Sequence, residues 1–210
     1  MIIDELRRDP EYILRNQYFF LDYNIRHYGI EGGTVLLSPN DDSIPNLTRI
    51  NIVPLTPSLD GDDLFFPYVN QGAGFVVANR LFEGMIVITS QMNGCALDVR
   101  YKEGKYVFYH DANGRNMPSN PSPGRQLCRI EDNYYWGDEL TDVTRGCTMG
   151  VVQFVCVYSR GFWHVGAFGF AITQKDRSTH IVNIVKKVPL KHGNTYIGCF
   201  NDSRRLICLS

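Results

Sequence analysis

The stretch Ala96-Leu97-Asp98-Val99-Arg100-Tyr101-Lys102-Glu103-Gly104-Lys105-Tyr106-Val107-Phe108-Tyr109-His110 reads as two short strands joined by a tight turn. Its side chains alternate between faces, and Gly104 supplies the positive φ that such turns favour. A hairpin of this kind returns the chain antiparallel. It brings His110 back toward the level of Cys95, the residue just before the first strand.

Upstream, Met85-Ile86-Val87-Ile88 suits a buried strand, and Thr89-Ser90-Gln91-Met92-Asn93-Gly94-Cys95 leads from it into the hairpin. Thr34–Leu37, Thr48–Val53, Leu64–Phe66 and Phe75–Ala78 suit strands as well, while Ala73–Met85 fits a helix equally well. At the N-terminus Asp9 can cap and Pro10 suits a first helical position. Tyr12, Ile13, Leu14, Tyr18 and Phe19 recur at helical spacing, which predicts a helix ending near Gly29.

Downstream, residues 111–150 are broken by Asn113-Gly114, Pro118, Pro121, Pro123-Gly124 and Gly137. Long irregular segments often form lids or binding loops. The aromatic run Tyr134-Tyr135-Trp136 is therefore a candidate substrate-contact surface, although such rings suit a core equally well. The last third predicts strands over Met149–Tyr158, Phe162–Thr173, Ile181–Val188, Thr195–Phe200 and Arg205–Leu209. The expected class is α+β: one domain over residues 1–210, with a β-sandwich-like core of mixed sheets, surrounding helices and long loops.

Composition fits a single core. The chain has 210 residues, 44% of them hydrophobic, and a net charge of −1, which gives no global electrostatic basis for binding nucleic acid or an anionic membrane. Asp4, Glu5, Arg7 and Arg8 interrupt the N-terminus, so no secretory signal is expected, nor a membrane span. The six cysteines (95, 128, 147, 156, 199 and 208) include no Cys-x-x-Cys pair and are expected to be reduced, mostly buried thiols. Asn40-Asp41-Asp42 and Asp60-Gly61-Asp62-Asp63 do not follow the ligand order of a calcium loop and read as solvated turns.

The candidate chemistry is thiol chemistry. A thiol with a pKa of about 8.5 is only slightly ionised at neutrality and needs a nearby imidazole to make it a nucleophile. Cys95 and His110 supply that pair, and Gly94 leaves room for a carbonyl and backbone N–H donors to approach. Taken alone, the two residues also fit a buried structural Cys and a satisfied His. His164 and Cys156 lie in apolar strands and read as core residues, and His27, His180 and His192 have no ligand partners at metal spacing. Short basic stretches such as Lys186-Lys187 and Arg204-Arg205 read as solvated faces. Neither a phosphate-binding loop nor a dinucleotide fingerprint is present.

Met92-Asn93-Gly94-Cys95, followed by the hairpin and Phe108-Tyr109-His110-Asp111-Ala112, resembles the Leu-Ser-Gly-Cys and His motifs of the cytotoxic necrotizing factor catalytic domain and of Burkholderia lethal factor. The likeness covers about residues 85–112, and Met92 and Asn93 stand where the motif has Leu and Ser. In the lethal factor a Thr six residues before the Cys orients the His, and Thr89 occupies that position here. The resemblance implies a bacterial toxin or effector that deamidates a glutamine of a host protein, with Cys95, His110 and Thr89 as its catalytic set and no cofactor or metal. It also implies delivery without a classical signal peptide, action in the host cytosol as a monomer, and a substrate such as a Rho-family GTPase or a translation-initiation helicase. Two other readings stay open: another thiol hydrolase or a transglutaminase-like enzyme using the same pair, and a non-catalytic protein-binding module.

Overall fold

The computed structural model describes residues 2–23, 28–38, 50–119, 122–145, 148–174 and 182–206. The elements, in chain order, are α1 (Ile2–Arg8), α2 (Pro10–Asn16), β1 (Tyr18–Tyr23), β2 (Gly33–Leu37), β3 (Ile50–Pro57), β4 (Asp63–Phe66), β5 (Ala73–Ala78), β6 (Ile86–Thr89), β7 (Ala96–Lys102) and β8 (Lys105–Asp111). They continue with β9 (Arg125–Ile130), α3 (Asp132–Tyr135), α4 (Asp138–Arg145), β10 (Met149–Ser159), β11 (Phe162–Gln174), β12 (Val182–Val188) and β13 (Tyr196–Phe200).

The predicted N-terminal helix is shorter than expected. Asp9 does cap α2, its carboxylate accepting the Tyr12 N–H at 3.4 Å, but the helix stops at Asn16 and Gln17 is extended. Tyr18–Tyr23 becomes a strand because it lies parallel to β3, in register from Tyr18 with Ile50 to Tyr23 with Leu55. Phe19, Phe20 and Leu21 are all buried in succession by this curled edge of the sheet.

Two further expectations change. Ala73–Met85 is not helical: β5 pairs with β8 along its whole length. The irregular segment 111–150 contains β9, which pairs with β7, together with α3 and α4. Arg205 and Leu206 form no strand, and the rest of that expected strand, like Asn40-Asp41-Asp42, His27, His180, Cys147 and Cys208, lies outside the described residues.

The class is mixed α+β with few helices. A large mixed sheet runs β1-β3-β2-β4-β6-β10-β11-β12, and β13 also pairs with β11. A smaller sheet runs β5-β8-β7-β9. Alternation sorts the side chains of the large sheet into two cores. Ile86, Ile88, Val155 and Phe168 face Ile3, Leu6, Ile13 and Leu14 of the N-terminal helices, while Val87, Val152, Phe154 and Trp163 share a core with Leu97, Val99 and Phe108 of the small sheet. Each fully buried residue of this size contributes roughly 1.5–3 kcal/mol. Helix α1 is also pinned by charge: Arg7 donates to both carboxylate oxygens of buried Asp63, so Asp63 of the acidic stretch 60–63 is an ion-pair partner and not part of a solvated turn. No described helix is long and apolar enough to cross a membrane.

The described cysteines, Cys95, Cys128, Cys156 and Cys199, are free thiols, the first three of them buried.

Candidate active site

Three strand ends meet at one edge of the space between the sheets. On β6, Val87 faces the small sheet, so Thr89, two residues on, faces it too. On β8, Phe108 faces the large sheet, and His110 follows on the same side. The hairpin forms as expected, with turn residues Glu103 and Gly104 at φ of 52° and 82°, and it places His110 opposite Leu97, two residues past Cys95. Cys95 lies just ahead of β7 and joins the same core.

The loop between Thr89 and Cys95 is held by backbone bonds in both directions between Met92 and Val152, at 2.7 and 2.9 Å. Gly94 then turns with φ +73° and has open space where a Cβ would stand. Gly94→Ala is therefore expected to cost about 1–2 kcal/mol through φ alone, measured by urea denaturation, without filling the approach to Cys95. Asn93 is exposed, and its amide donates to Gly150 O at 3.3 Å.

His110 has no exposed surface. Its Nδ1 lies 3.0 Å from Thr89 Oγ1 and 3.0 Å from Ser90 Oγ, and its Nε2 is buried with no hydrogen-bond partner. The Tyr68 ring meets it edge-on, with centroids 5.4 Å apart. Burial pushes the imidazole pKa down to about 3, so His110 is neutral across the physiological range. Nothing in the residue types singles out Ser90. The end of the strand at Thr89 was the available signal, since a chain leaving a strand there can present both neighbouring hydroxyls.

Cys95 is 4% exposed and borders a cleft of about 210 Å³ with Asn113, Gly114, Arg115, Glu131 and Asp132. Its Sγ lies 3.7 Å from Asn93 O, the acceptor of its S–H, and no hydrogen bond joins it to His110. Burial pushes the thiol pKa up and the Asp111 and Asp132 charges add to this, while backbone hydrogen bonds from Asn113 and Asn93 oppose it. Cys95 thus rests as a thiol and His110 as a neutral imidazole whose Nε2 has no hydrogen-bond partner.

Of the aromatic run, Tyr135 is in the core, only 1% exposed, and its hydroxyl donates to Cys95 O at 2.7 Å. It supports the Cys95 backbone from within and offers no surface to a substrate. Trp136 and Tyr134 are partly buried: Trp136 donates from Nε1 to Thr141 Oγ1 at 3.1 Å, and Tyr134 stacks on His192. His164 is half-buried, 3.2 Å from Tyr196 OH, on the opposite face of the large sheet, and Cys156 is fully buried with its pKa driven up by burial.

Behind the cleft, the outer face of the small sheet carries a connected set of charges. Buried Asp98 accepts from Arg100 Nε at 2.5 Å and from Arg129 Nη1 at 2.9 Å. Arg129 also reaches Asp111, Glu131 and Gly114 O. This ties the turn at Ala112–Gly114, one wall of the cleft, to β9.

No protein-family model matches the chain and no curated protein matches it, so the chemistry of this site rests on its own residues.

Proposed function

We propose that the chain is a cysteine-dependent protein glutamine deamidase of the necrotizing-factor kind, an effector that acts on a host protein. One observation carries the reading: His110 is gripped at Nδ1 by two hydroxyls while its Nε2 stays buried and unpaired, and Cys95, just before the strand that pairs with β8, borders an open cleft. The resemblance of residues 85–112 supports the choice of glutamine over other acyl groups. In this reading the two sheets form a sandwich-like core whose edge presents the site, and Trp136 and Tyr134 are the aromatic contacts left for a substrate protein.

The substrate carboxamide enters the cleft beside Gly94 and meets Cys95 Sγ. His110 Nε2 takes the thiol proton as sulfur bonds to the carboxamide carbon. Because burial disfavours both charged forms, proton transfer and attack occur together and no standing ion pair precedes them. The imidazolium then returns its proton to the departing nitrogen, ammonia leaves, and a thioester remains. Water, deprotonated by the same Nε2, hydrolyses the thioester to glutamate and restores the thiol. Thr89 holds the ring throughout.

The test is to incubate host-cell proteins with the wild type and with Cys95→Ser and to map Gln-to-Glu conversion by mass spectrometry. The wild type is expected to convert a defined glutamine, and the variant to be slower by about 10³-fold or more. Peptide-bond cleavage or amine incorporation in place of glutamate would move the assignment to a protease or a transglutaminase. Equal conversion by both proteins would sink it.

A further inference from the structure

Thr89 Oγ1 donates its single proton to Ser90 O at 3.1 Å. With its proton on Ser90 O it has only lone pairs to offer His110 Nδ1, and Nδ1 then carries the hydrogen. The opposite tautomer would set two lone pairs against each other at 3.0 Å in a buried site. Ser90 Oγ, also 3.0 Å from Nδ1, can act either way: it accepts from Nδ1–H, or it donates into a bare Nδ1. Asp111, the next residue, is occupied on the other face of the small sheet by Arg129 and by the Asn116 N–H, so it does not orient the ring.

We infer that Ser90 is a positioning residue whose effect is set by Thr89: with Thr89 present it joins in accepting from Nδ1–H and leaves Nε2 as the base, and without Thr89 it donates to Nδ1 and places the proton on Nε2. The inference rests on the reading of His110 as the base, yet the tautomer itself can be observed whether or not that reading holds. The consequence is a sign reversal. Ser90→Ala harms an enzyme that has Thr89 and helps one that lacks it.

The experiment uses the full chain labelled with ¹⁵N-histidine, comparing wild type, Ser90→Ala, Thr89→Val and the Thr89→Val/Ser90→Ala double variant, with Thr89→Ser as the conservative rescue. Nitrogen shifts of His110 are expected to show Nδ1–H in the wild type, Ser90→Ala and Thr89→Ser, and Nε2–H in Thr89→Val. In the double variant the Nε2–H preference is expected to be relieved. Deamidation should fall by about 3–10-fold in Ser90→Ala and about 100-fold in Thr89→Val, with KM little changed, and the double variant should turn over faster than Thr89→Val. Nδ1–H retained in Thr89→Val, or a double variant no faster than Thr89→Val, overturns the inference. The expected tautomers in a protein that deamidates nothing would uphold the inference and discard the deamidase reading.

Discussion

With Gln in place of His110, deamidation is expected to fall by about 10²–10⁴-fold, the usual contribution of a positioned base. The same exchange should remove much of the acid sensitivity of the fold. His110 has a folded pKa of about 3 against an ordinary value of 6.5. Between these values the unfolded chain binds a proton that the folded chain does not. Stability from this residue is thus complete above pH 6.5 and is lost as pH falls toward 3, by roughly 1.4 kcal/mol per unit. Urea midpoints at neutral and mildly acidic pH should drop steeply for the wild type and less for His110→Gln. By the same sign, turnover should persist below pH 6, where an ordinary imidazole would be largely protonated, until unfolding ends it. A His110 titration midpoint near 6.5 by proton NMR would contradict the burial described here.

Asp98→Ala is expected to be the most damaging single change to stability outside the apolar core. Its carboxylate has no exposed surface and receives Arg100 and Arg129 together. Removing it leaves part-buried Arg100 without its carboxylate partner and Arg129 with Asp111 and Glu131. The expected loss is about 3–5 kcal/mol, or roughly 10 °C in Tm for a chain of this size. Glu131→Gln offers the contrast, since Glu131 is half exposed and meets Arg129 at the surface. It should shift stability by about 0–1 kcal/mol. Urea denaturation of the two variants measures the difference, and equal losses would mean that Asp98 carries no special weight.

The hairpin from Ala96 was legible because everything that defines it is local: two alternating runs and a glycine between them. The strand Tyr18–Tyr23 was not, because its partner β3 begins at Ile50 and the aromatic spacing of Tyr18 and Phe19 fits a helix as well as a curled strand. Proline and glycine concealed β9 in the same way: Leu127, Cys128 and Ile130 become a strand only beside β7. Within the site, Cys95 and His110 were readable as residue types at a spacing, and Thr89 only through the resemblance of residues 85–112. The roles of Ser90 on Nδ1, Tyr135 on the Cys95 carbonyl and the charge chain through Arg129 depend on folded geometry that spacing does not carry.

The complete enclosure of His110, with Cys95 at the cleft wall, imposes an order of events on the proposed reaction. The base has no passage of its own to bulk solvent, so carboxamide, ammonia and water must all pass on the sulfur side. Ammonia has to depart before the hydrolytic water takes its place at Nε2, which gives the two half-reactions separate occupancies of one space. An added amine small enough to use that same passage would compete with water for the thioester. Gly94 and Asn113 line the cleft that such an amine would enter.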